Sequence, residues 1–136
     1  MNTNNSVRDV QVVTFPEVQD TTGALHFLEG SKWFPNGVKR VFWIRTEEEA
    51  HRGNHAHKEE SQIILAILGK VEVSIRKPGN PPKKFMLDNP SSGLFIPSMH
   101  WVETHFSKEA ILIGFSDTEF SESDYIRNLE DFERAR

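Results

Sequence analysis

Short runs of β-branched and aromatic residues recur along this chain at roughly ten-residue intervals, each closed by glycine, proline, asparagine or aspartate. A sequence punctuated this often has no room for long amphipathic helices, and many short strands bury their apolar faces best as a sandwich or a closed barrel. The runs fall at 7–15, 24–30, 39–45, 61–68, 71–76, 84–87, 94–96, 100–106 and 110–115. Val71, Val73 and Ile75 alternate with Glu72, Ser74 and Arg76, the pattern of a strand wet on one face. The near-continuous apolar run from Ile63 to Leu68 instead predicts a buried strand. Only at 122–136 do apolar residues (Tyr125, Ile126, Leu129, Phe132) approach helical spacing, so the expected class is all-β with one short C-terminal helix. Pro16 is expected to end the first strand or force it to an edge.

With 136 residues the chain can bury one core and is too short for two, so a single domain spanning 1–136 is expected, its polar start at 1–6 a loose tail. Hydrophobic residues at 37% and charged residues at 26% place it among globular chains rather than disordered ones. A net charge of -4 leaves no general basic field, which argues against nucleic acid as the main partner. The absence of cysteine excludes disulfides, thiolate metal ligation and a cysteine nucleophile. No apolar run approaches the roughly 18 residues a membrane helix requires, and the start is no signal peptide, so the expectation is a cytoplasmic protein with no membrane partner.

The chemistry concentrates in Arg52-Gly53-Asn54-His55-Ala56-His57, followed by Gln62 and Gly69. On a strand, His55 and His57 share one face while Ala56 points away. Two imidazoles on one wall can hold a metal, carry protons or simply pack. An ordinary imidazole titrates near pH 6.5 and is mostly free base at neutrality, which suits acid/base work.

The spacing of His55-x-His57, Gln62 and Gly69 resembles the first motif of the cupins, and 93–97 resembles the second; a cupin jelly-roll barrel is therefore expected. Where metal-binding cupins place a carboxylate and a third histidine, this chain has Gln62 and Val102, so no metal is expected; His100, one strand period from Val102, is the residue that could substitute. Nearly the whole length also resembles the WxcM-like sugar 3,4-ketoisomerases, through Asp20-Thr21-Thr22-Gly23-Ala24-Leu25-His26-Phe27-Leu28-Glu29-Gly30, Lys39-Arg40-Val41-Phe42, Arg52-Gly53-Asn54-His55-Ala56-His57-Lys58, Ile111-Leu112-Ile113 and Glu122-Ser123-Asp124-Tyr125-Ile126-Arg127.

That resemblance implies migration of a carbonyl from C4 to C3 of a dTDP-linked 4-keto-6-deoxyhexose, without cofactor, in surface polysaccharide synthesis. It implies His57 as the base, His55 as second proton carrier or orienter, and Arg52 on the anionic part of the ligand. Trp43, Arg45, Gln62 and His100 are expected around the substrate. Trp43 and Arg45 stand where relatives show tyrosines, so the proton donor to C4 is left among His55, His100 and water. The resemblance further implies a homodimer in which the strand at 7–15 pairs with the partner subunit. The rival readings are a cupin epimerase, returning the proton to the carbon it left, and a non-catalytic sugar-nucleotide or metal-binding cupin.

Overall fold

A computed structural model describes residues 9–135, so the expected tail at 1–6 lies outside the described residues. In chain order the strands are β1 (Gln11–Thr14), β2 (Glu17–Asp20), β3 (Gly23–His26), β4 (Arg40–Arg45), β5 (Ala50–His57), β6 (Gln62–Leu68), β7 (Val71–Arg76), β8 (Lys83–Leu87), β9 (Ser92–Ile96), β10 (Trp101–Phe106), β11 (Ile111–Ser116) and β12 (Tyr125–Ile126), followed by helix α1 (Leu129–Arg134). Ten strands form two five-stranded antiparallel sheets, ordered β1-β9-β6-β11-β4 and β12-β5-β10-β7-β8, while β2 and β3 make a separate hairpin. The all-β class follows the spacing of the strands, and the jelly-roll is the one the cupin resemblance implies.

The main core lies between the sheets. Ile64, Ala66, Leu94 and Leu112 of one meet Val71, Val73, Ile75 and Phe106 of the other, with Phe42, Ile44 and Val102 partly buried at its margin. Each fully buried aliphatic side chain contributes about 1.5–3 kcal/mol of transfer free energy, so alternation along the strands selects the pairing. A second cluster covers the outer face of the first sheet, where Ile63, Leu65 and Phe95 are roofed by Phe15, Phe34 and Trp33. The second sheet's outer face carries Ala56 and Trp101, closed by Phe132 of α1.

Two local expectations are corrected, at 24–30 and at 125–126. The run at 24–30 is a strand only to His26 and then breaks into a 3-10 turn, Gly30–Lys32. As expected, the first strand ends before Pro16 and lies at a sheet edge; the missing amide falls between β1 and β2. Within the single chain, Gln11–Thr14 pairs with Phe95–Ser92 at the edge of its sheet. Finally, Tyr125 and Ile126 are not helical. They form β12, opposite His57 and Ala56, and so cover the free edge of β5. The helix begins only at Leu129, where the Asn128 side chain accepts the amide of Asp131 and fixes the start.

Candidate active site

A cavity of about 440 Å3 opens between the two sheets, its wall formed by β4, β5, β10 and β12. Regular alternation would put Arg52 on the opposite face from His55 and His57. All three nevertheless line the cavity. The reason is a bulge at Gly53 and Asn54, which carry positive φ of 91° and 62°. Opposite them the register slips: Val102 faces His55, but Glu103 faces Gly53. One extra residue turns the strand over, so the cation and the two imidazoles share a face. Glycine is required there, since a Cβ on Gly53 would stand 2.9 Å from the Val102 carbonyl oxygen.

His55 and His57 meet edge-on, ring centroids 5.1 Å apart. Burial, reinforced by the neighbouring His57, pushes the His55 pKa down to about 4, so it is neutral at physiological pH. His57 is buried, and its Nδ1 lies 3.2 Å from Oδ2 of Asp124 and 3.3 Å from Oε1 of Glu60. Asp124 is held in turn by the backbone amides of Glu59 (2.8 Å) and Glu60 (3.3 Å). Glu60 is itself buried and accepts from Arg40 at 2.7 Å and Gln62 at 2.6 Å. Burial alone would raise the Glu60 pKa, but the Gln62 hydrogen bond, His57, Ser116 and Arg40 together hold it below the ordinary carboxylate value.

Tyr125, the only tyrosine in the chain, packs against both imidazoles, with centroids 5.1 Å from His55 and 4.3 Å from His57. The Arg127 guanidinium lies 4.2 Å over its ring and is paired with Glu122. Across the cavity, buried His100 directs Nδ1 at the Ser98 carbonyl oxygen, 3.0 Å away; a carbonyl only accepts, so Nδ1 carries the hydrogen. Burial lowers the His100 pKa too.

The structure thus brings His55, His57, Arg52, Gln62 and His100 to one cavity. Gln62 reaches it with its amide nitrogen already bonded to Glu60. Among the described residues, Arg52 has no carboxylate partner, whereas Arg40 and Arg127 are both paired. One expectation fails. Arg45 does not line the cavity: along β4, Arg40, Phe42 and Ile44 turn inward and Val41, Trp43 and Arg45 outward. Trp43 does line the cavity, although it is 71% exposed, and Phe42 is the more enclosed aromatic residue of β4 there. Reading the sequence also missed Glu60, Asp124, Tyr125 and Arg127 as site residues. The Ser123-Asp124-Tyr125-Ile126-Arg127 string was visible, but only strand pairing between β12 and β5 shows that it completes the histidine site.

Among the described residues, the acidic and imidazole groups that crowd closely enough to share an ion are His57, Glu60 and Asp124, within 4.8 Å of one another. Their oxygens are already engaged by Arg40, Gln62 and two backbone amides, which makes the group a hydrogen-bonded network around one imidazole.

A jelly-roll with ionisable side chains converging on a cavity between its sheets is the architecture of a cupin. Residues 8–136 match the family described as FdtA: WxcM-like, C-terminal, and the chain belongs to that family. It is 33% identical over 126 residues to the TDP-4-oxo-6-deoxy-alpha-D-glucose-3,4-oxoisomerase of Aneurinibacillus thermoaerophilus, covering 91% of this chain and 90% of that one. A 3,4-ketoisomerase from Helicobacter canadensis superposes with a TM-score of 0.86 at 34% identity, over 93% of this chain and 96% of that. The sugar 3,4-ketoisomerase QdtA from Thermoanaerobacterium thermosaccharolyticum, solved with TDP, gives 0.86 at 29% identity over 94% of each chain.

Proposed function

We propose that this chain is a TDP-sugar 3,4-ketoisomerase, taking a TDP-4-keto-6-deoxyhexose to its 3-keto isomer by proton transfer. The observation that carries this reading is the His55–His57 pair, ring centroids 5.1 Å apart, in a cavity whose wall also presents Arg52 without an acidic partner. A guanidinium matches the geometry of a diphosphate and anchors the nucleotide end. His57 removes the proton from C3, which the C4 ketone acidifies. Electrons move into an enediol, and a proton returned to C4 leaves the carbonyl at C3. Atoms and electrons balance without a redox cofactor.

Trp43 faces outward and cannot return the proton. Tyr125 packs against both imidazoles and bears a hydroxyl, so we assign the return to it, with neutral His55 orienting the sugar. The 3-keto product is the substrate type for an aminotransferase, which fits synthesis of a 3-amino-3,6-dideoxyhexose for surface polysaccharide in the cytoplasm.

We further propose that it works as a homodimer. Val41, Trp43 and Ile67, on the outward face of the first sheet, stay 43–71% exposed, an apolar surface that favours burial against a second copy. Exchange of β1 between copies would preserve the same ladder with β9. A monomer by light scattering would remove this proposal.

The experiment for the reaction is incubation with dTDP-4-keto-6-deoxyglucose in deuterated water, followed by NMR. A 3-keto product labelled at C4 is the expected result. Exchange at C3 or C5 without ketone migration would instead establish the epimerase, and no exchange at all a binding protein.

A further inference from the structure

A buried imidazole acts as a base only through a nitrogen that lacks a hydrogen, so the tautomer of His57 matters as much as its position. Two carboxylates lie against Nδ1, Asp124 at 3.2 Å and Glu60 at 3.3 Å, and an ionised carboxylate can only accept. Nδ1 therefore carries the hydrogen, and Nε2, buried and without a hydrogen-bond partner in the protein, is the free lone pair. The other groups around the ring are His55 and Tyr125 on its faces and edge, and the backbone of Met99, whose amide donates to the His57 carbonyl at 2.7 Å.

Resting on the reaction proposed above, we propose that Asp124, seconded by Glu60, is the positioning residue of the site: it locks His57 as the Nδ1–H tautomer, leaves Nε2 as its basic nitrogen and stabilises the imidazolium formed when the proton is taken. The placement of Asp124 is unusually fixed for a residue beyond the last long strand. Its side chain accepts the amides of Glu59 and Glu60, and its carbonyl accepts that of Lys58 at 2.9 Å, so the turn after β5 is wrapped around this one residue. Glu60 accepts from Gln62 and Arg40 at the same time, and both contacts favour its ionised form. The imidazolium thus appears beside two carboxylates and one guanidinium, a net anionic surrounding that is already ordered before the proton moves.

The test is Asp124→Asn in the full chain. The Asn oxygen keeps the amide of Glu59, which leaves its NH2 facing Nδ1; donor then meets donor, and His57 must switch to the Nε2–H form. Long-range 1H–15N correlation spectra of the substrate-free protein read the tautomer directly. Expected are a protonated Nδ1 in the wild type and a protonated Nε2 in the variant. With substrate, kcat should fall about 100-fold or more while KM moves less than about threefold, the size of a lost general base. A wild-type His57 with hydrogen on Nε2 overturns the proposal, as does an Asp124→Asn protein with unchanged tautomer or unchanged kcat. Should the variant fail to fold, the wild-type spectrum decides alone. If the wild type gives the expected tautomer but never isomerises the sugar, the reaction assignment falls and the positioning role stands.

Discussion

Gly53→Ala probes the bulge that makes Arg52 and the histidines neighbours. The backbone at position 53 has φ of 91°, which an L-residue adopts at a cost of about 1–2 kcal/mol. The new methyl would also lie 2.9 Å from the Val102 oxygen, 3.4 Å from the Glu103 Cα and 3.5 Å from the Thr104 nitrogen. All three atoms belong to the backbone of β10, which is hydrogen-bonded on both sides and cannot yield cheaply, so overpacking adds about 1–3 kcal/mol. A combined loss of about 2–5 kcal/mol, at roughly 4 °C per kcal/mol for a domain of this size, lowers Tm by about 8–20 °C. Thermal unfolding followed by circular dichroism measures it. Deleting Asn54 gives the complementary result: the bulge closes, alternation sends Arg52 outward, and KM for the nucleotide sugar rises about tenfold or more while the strand signal survives. A Gly53→Ala protein as stable as the wild type, or an Asn54 deletion with unchanged KM, would show that the bulge does not organise the site.

Replacing His57 by Asn should cost about 10²–10⁴ in kcat with an unaltered circular dichroism spectrum; retained turnover would pass the role of base to His55. Tyr125→Phe keeps the ring against the imidazoles and removes only the hydroxyl, so deuterium should still enter at C3 while the 3-keto product forms about 10–100-fold more slowly, and an unchanged rate would return the donor role to His55, His100 or water. Because the folded His55 pKa is about 4 against an ordinary 6.5, the unfolded chain binds that proton more readily. Stability from this group is complete above pH 6.5 and is lost as the pH falls toward 4, with His100 acting in the same direction; Tm measured across that range should drop, and His55→Gln should flatten the slope. A slope unchanged in His55→Gln would contradict the burial of His55 as its source.

Much of the architecture can be read from local pattern. Strand faces follow from alternation in runs such as Val71 to Arg76, and His55 and His57 share a face because two residues separate them. The same rule misplaces residues wherever the chain departs from regularity. Arg52 lies inside only because Gly53 and Asn54 form a bulge, and Arg45, named by its position in the motif, lies outside because β4 is regular. Tyr125 and Ile126 fit a helical period, yet the unpaired edge of β5 draws them into a strand. Local spacing carries no information about that competition between a marginal helix turn and a ladder with a distant partner.

By itself, then, the sequence determined the all-β barrel, the pair of imidazoles on one wall and the family, because each depends on near neighbours in the chain or on strings long enough to be specific. Tertiary structure alone decided what surrounds the imidazoles. The contact between His57 and Asp124 spans 67 positions, and it exists only once β12 closes on β5. A side chain's position follows from its own strand, but its protonation and tautomer depend on whichever charges the fold brings beside it.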